Sequence, residues 1–225
     1  MLTALLIIAR GIHIGASILF AGTFTFEVII LGLAGPPISD DVRDIEWRLL
    51  HLAIWSLVAA FVSAVLWFWL EVVNMGGLLF VNLFSAPAWQ KVLLQTEFGH
   101  VWALRIGLTA IAFVFAVSRL VRNETRRPPV ILVLWLVSVV LLVSLAWISH
   151  AAAARVQPLG KWADAVHLCA AGIWIGGLLP LAIFLARVHR SLSLGEMVPR
   201  VLRRFSTLSL CCVSKTAQYT RHHFA

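Results

Sequence analysis

Five apolar stretches, each long enough to cross a bilayer, leave this chain few folds to choose from; they run over residues 2–33, 49–70, 98–117, 130–148 and 163–188. Roughly 20 apolar residues cross a hydrocarbon core about 30 Å thick. Inside lipid the backbone must satisfy its own hydrogen bonds, which makes segments of this length helices. The expected fold is therefore all-α, a polytopic transmembrane helix bundle with five clear spans and an incomplete sixth. The first stretch is too long for a cleavable signal peptide and reads as a true, tilted span. A sixth begins at Phe205 and fails, because residues 208–213 give way to Ser214, Lys215 and a polar end. A composition of 61% hydrophobic and 12% charged residues excludes an ordinary soluble domain.

The net charge of +8 points first to nucleic acid, but its distribution argues against that partner. Arg43 and Arg48 follow span 1, and Arg119, Arg122, Arg126 and Arg127 follow span 3. Arg187, Arg190, Arg200, Arg203 and Arg204 follow span 5, so all of these share one face. The opposite face holds Lys91, Arg155 and Lys161. Basic loops stay cytoplasmic, which puts the N-terminus outside and makes membrane lipid, not nucleic acid, the expected surroundings. The acids Asp40, Asp41, Asp44 and Glu46 lie in the first basic loop and count little in this rule. Cys169, Cys211 and Cys212 form no CxxC, and a vicinal pair is too close for usual disulfide geometry.

Ionisable side chains are costly in hydrocarbon and mark functional positions. His13 lies at most about 18 Å along its helix, near mid-membrane. His100 opens span 3, His150 closes span 4, and His167 sits about 7–8 Å inside span 5, all from the same outer face. These four are the candidate metal contacts. His51 lies on the inner side. Asp164 is one turn from His167 and is placed to accept its second N–H, the usual support for a ligating imidazole. Arg10 and Arg105 fall in the same outer half, where they can pair with Asp164 or attract an anionic group. Gly11-x-x-x-Gly15 and Gly172-x-x-x-Gly176 are expected to permit close helix approach, with His13 turned away from the first pair. The outer loop carries a half-apolar run over 78–84, either re-entrant or lying on the headgroups. No Walker loop, GxSxG, HExxH or dinucleotide fingerprint is present, and the chain reads as a non-enzyme.

Several strings together resemble the copper resistance D family of bacterial inner-membrane proteins. They are Gly11-Ile-His13, Leu50-His51, Gln95-Thr96-Glu97-Phe98-Gly99 with Trp102, and Ser149-His150-Ala151. They continue with Ala163-Asp164-Ala165-Val166-His167-Leu168, Trp174-Ile175-Gly176-Gly177-Leu178-Leu179-Pro180 and Arg204-Phe205-Ser206. The DxxHL…WxGGLLP pattern is the most specific. The likeness divides the chain into a copper resistance D-like transmembrane domain, 1–210, and a divergent polar tail, 211–225, as expected of a truncated or frameshifted reading frame. It implies copper handling in the bacterial inner membrane, alongside a periplasmic copper-binding partner of the copper resistance C type. By that likeness His13, His150 and His167 are copper contacts; His100 joins them by geometry alone.

Three readings follow. In the first, copper passes along a histidine ladder from the outer face to His13, with Asp164 orienting His167 and Arg10 or Arg105 balancing charge; imidazole suits copper. In the second, His150 and His167 are the axial pair of a b-type haem in an electron-transfer subunit. In the third, the histidines only hydrogen-bond within a structural or assembly protein.

Overall fold

The computed structural model describes residues 1–32, 39–76, 86–124, 126–150, 158–189 and 191–223, with side chains except those of 76, 86–87, 148–150, 158–161, 163–164 and 213–223. Among these residues all regular structure is helical. The elements are α1 (Leu2–Thr25) running into a π-helical turn (Phe26–Gly32), α2 (Asp40–Gly76), α3 (Ala86–Gln95), α4 (Glu97–Val121), α5 (Pro128–His150), α6 (Pro158–Val188) and α7 (Leu192–His223). Five segments are long and apolar enough to cross a membrane: Leu2–Gly32, Asp40–Met75, Glu97–Val121, Pro128–Trp147 and Ala165–Val188. The all-α bundle of five spans read from hydropathy is the fold observed.

The spans alternate in direction, so one end of the bundle carries Met1, the end of α2, α3, the start of α4 and the end of α5. Helix α1 is the interior element, packed against α2, α5 and α6, while α4 packs against α2 and α5. The backbones of α1 and α4 thus stand at opposite corners of a square completed by α2 and α5. Phe20, Phe24, Leu57, Ala112, Ala116, Leu134 and Leu141 fill the space between these four helices.

Small residues set the α1–α6 approach, at positions other than those expected. A Cβ on Gly22 would lie 2.0 Å from the carbonyl carbon of Gly176, and one on Gly176 would lie 2.1 Å from the Ile18 oxygen. Only glycine fits there, and Gly172 packs against Leu142 and Ile18. Gly11 and Gly15, expected to do the same, are exposed and have nothing within 4 Å of a would-be Cβ. The expectation fails because the face carrying His13 turns inward, which turns these two glycines outward.

The incomplete sixth span belongs to a longer element. Helix α7 starts at Leu192, well before Phe205, and is amphipathic. Leu194, Val201 and Phe205 pack onto Phe26, Ile30, Ile45 and Phe184 at the end of the bundle away from Met1. Its apolar residues form a stripe along one face, not a length of helix apolar all round, so it lies against the bundle. The run at 78–84 lies outside the described residues. The adjoining α3 packs Val92 and Leu93 against Phe68, Val72 and Phe98.

Candidate metal centre

Helix α1 buries Leu6, Ala9, His13, Ala16, Ser17, Phe20 and Phe24. These steps of three and four residues trace a single helical face, and they carry His13 into the bundle, where it is only 2% exposed. Helix α4 does the same with Arg105, Thr109, Ala112, Ala116 and Arg119. The start of α4 is fixed by Thr96, whose Oγ1 accepts the Gly99 N–H at 2.9 Å, an N-cap of the usual kind. Gly99 itself is required, since a Cβ would lie 2.2 Å from the Val92 oxygen.

The two buried faces meet at one cluster. His13 Nδ1 donates to the Ala60 carbonyl of α2 at 2.9 Å. A carbonyl only accepts, so Nδ1 carries the proton and Nε2 the lone pair. That lone pair accepts from Arg105 Nε at 3.0 Å and Nη2 at 2.7 Å. Arg105 Nη2 also donates to Ser17 Oγ at 3.0 Å, while Nη1 donates to the Leu141 carbonyl and to Ser144 Oγ, each at 2.5 Å. The guanidinium is 1% exposed and thereby ties α1, α4 and α5 together. Trp67 leans on the imidazole, ring centroids 5.7 Å apart.

Nearer the Met1 end a second cluster forms around Glu71. Its Oε1 accepts from Arg10 Nη2 at 2.5 Å and from Trp67 Nε1 at 3.2 Å, and its Oε2 accepts from Asn74 at 3.2 Å. Arg10 is held by this glutamate, while its expected partner Asp164 has its side chain outside the described residues. The position of Glu71 on the His13 face of the bundle follows from the α1–α2 packing, which no local pattern reveals.

Of the remaining candidates, His100 and His167 have described side chains. His100 is exposed and donates Nε2–H to the Leu94 carbonyl at 3.0 Å. His167 is half-buried on α6, and its neighbour Leu168 shares an apolar cluster with Ile14 of α1. The side chains of His150 and Asp164 lie outside the described residues. His51 is exposed and donates to the Trp47 carbonyl at 2.8 Å. Among the described residues no group of three or more His, Cys, Asp or Glu side chains is arranged to hold a metal ion.

A third polar cluster, at the other end of the bundle, was not anticipated. Arg119 Nη2 donates to Glu27 Oε1 at 2.6 Å, with both side chains under 5% exposed. Arg126 Nε donates to buried Glu46 at 2.8 Å, and its Nη2 reaches the Gly32 carbonyl at 3.4 Å. Arg204 donates to the Ile30 carbonyl at 3.1 Å, serving oxygens freed by the π-helical turn. Arg119, Arg126 and Glu46, which hydropathy places with the loop charges, are core or half-buried partners. The signal was in the spacing. Arg105 and Arg119 are fourteen residues apart, as are His13 and Glu27, so each pair shares one face at levels about 21 Å apart.

The sequence model of the family described as "Copper resistance protein D-like, N-terminal domain" matches residues 1–157. Inner membrane protein YebZ of Escherichia coli (strain K12) is 32% identical over 136 residues. That match covers 58% of this chain and 41% of the relative, so the chain aligns with well under half of that protein's length. No solved structure matches the chain. The matched region contains α1, α2, α4 and α5 with the His13–Arg105 cluster between them, and the chain belongs to the copper resistance protein D-like family.

Proposed function

We propose that this chain moves copper across the bacterial inner membrane, with the Met1 end facing the periplasm and His13 as its deepest copper contact. Family membership ties the chain to copper at a membrane. The single observation that supports the finer reading is His13: an imidazole 2% exposed, about 18 Å along the first span, at the centre of a buried polar cluster. In this reading His100, His150 and His167, which their positions in the sequence put toward the Met1 end, deliver copper to it in steps. Asp164 orients His167 in this reading. A periplasmic copper-binding protein of the copper resistance C type is the proposed donor or acceptor at that end.

Below His13 the apolar layer of Phe20, Phe24, Leu57 and Leu134 separates it from the Glu27–Arg119 pair. A cation crossing that layer without ligands would bear most of its desolvation cost, so transport requires the layer to open. Copper accumulation in cells expressing the chain, compared with His13→Ala, tests the proposal. The expected result is a several-fold change in cellular copper with the parent and none with the variant. An equal change in both would remove His13 from the path.

A further inference from the structure

We propose that the Arg105 guanidinium is an internal stand-in for the cargo cation, so that copper gains His13 only when Arg105 leaves it. The inference rests on the reading of His13 as a copper contact. An imidazole has two ring nitrogens, and both are engaged: Nδ1–H donates to the Ala60 carbonyl, and the Nε2 lone pair accepts from Arg105. No lone pair is left to ligate a metal while these bonds stand.

The partners of Arg105 say what it is there for. A guanidinium has five N–H donors in a fixed fork. Here they fall on His13 Nε2 (twice), Ser17 Oγ, the Leu141 carbonyl and Ser144 Oγ. Every acceptor is neutral, and among the described residues no carboxylate pairs with its charge. With all donors spent, the group is not waiting for an anion. It places one positive charge among four neutral acceptors, of which the imidazole nitrogen is the one that suits copper. Arginine is charged at neutral pH. Copper and guanidinium within a few ångström of each other in a low-dielectric interior would repel strongly. Occupancy is therefore exclusive, and withdrawal of Arg105 frees Ser17, Ser144 and the Leu141 carbonyl together with His13. Because these acceptors sit on α1 and α5, the exchange also removes the polar links from Arg105 of α4 to both helices, linking cargo binding to the packing of the bundle.

The test is an anaerobic titration of the detergent-purified full chain with Cu(I) against a coloured chelator. The proteins are the parent, Arg105→Gln, Arg105→Lys, His13→Ala and the double variant His13→Ala/Arg105→Gln. Arg105→Gln is expected to bind Cu(I) at least tenfold more tightly than the parent, and the double variant to lose that gain. A purely structural Arg105 would give no His13-dependent gain. Equal or weaker binding by Arg105→Gln, with His13→Ala still weaker than the parent, overturns the stand-in and leaves His13 as a contact. Cu(I) binding unchanged by His13→Ala in both backgrounds overturns the underlying reading as well. Should Arg105→Gln fail to fold, nitrogen NMR of the parent decides: the Arg105 Nε–H must lose its exchange protection when Cu(I) is bound, and retained protection would contradict the proposal.

Discussion

An imidazole whose proton points to one helix and whose lone pair points to another fixes the state of this site at the scale of single atoms. Each acceptor around Arg105 is accountable. Ser17→Ala or Ser144→Ala leaves one buried guanidinium donor without its partner, and an unmet buried donor costs about 1–3 kcal/mol. Each variant should lose stability in that range in thermal unfolding, and Ser118→Ala, whose exposed hydroxyl donates to the Phe115 carbonyl of its own helix, should not. Glu71 offers a parallel case. Glu71→Ala removes the acceptor of the Trp67 and Asn74 donors and should cost about 1–3 kcal/mol, while Glu71→Gln keeps an acceptor oxygen and should cost less than half as much. Arg10 contributes little to either figure, since half of its side chain is exposed and screened. Of this site, the sequence made His13 and Arg105 legible, because polar residues in apolar runs stand out by type alone. Ser17, Ser144, the Ala60 carbonyl and Glu71 were not legible. Their role depends on which helices are neighbours, and no local pattern encodes that.

Helices show the same division between local and long-range information. Span positions came directly from hydropathy, since lipid leaves the backbone no alternative. Packing partners did not. Both small-residue motifs read alike in sequence, yet Gly172-x-x-x-Gly176 faces α1 and Gly11-x-x-x-Gly15 faces outward. Gly22→Ala should force α1 and α6 apart and cost about 1–3 kcal/mol, the usual range for overpacking. Gly11→Ala should change stability by no more than about 0.5 kcal/mol, as exposed substitutions do; urea or thermal unfolding in detergent separates the two. The Glu27–Arg119 pair makes a second element-level prediction. It joins the π-helical turn to α4 across the diagonal of the bundle, a span only a side chain as long as arginine covers. Glu27→Ala leaves a buried charge and should cost about 3–5 kcal/mol. The double variant Glu27→Leu/Arg119→Met should recover most of that loss, and a thermal-unfolding double-mutant cycle with no coupling would contradict this account of the pair.

Across the whole molecule, polar and apolar layers alternate along the bundle. Glu71 and Arg10 come first from the Met1 end, then His13 and Arg105, then the aromatic and aliphatic layer, then Glu27 with Arg119 and Glu46 with Arg126. Basic residues crowd the far end, including Arg203 and Arg204 on α7. With the three native cysteines replaced, Thr3→Cys should react with a membrane-impermeant maleimide from the periplasmic side and Arg122→Cys only from the cytoplasmic side. The reverse pattern would invert the proposed orientation. The measurement closest to the central claim is copper content and absorbance of the purified chain after equilibration with copper, beside His13→Ala and His150→Ala/His167→Ala. Copper held by the parent, lost from His13→Ala, reduced in the double variant and accompanied by no Soret band is the expected result. Copper retained equally by His13→Ala, or a Soret band in the parent, would contradict it.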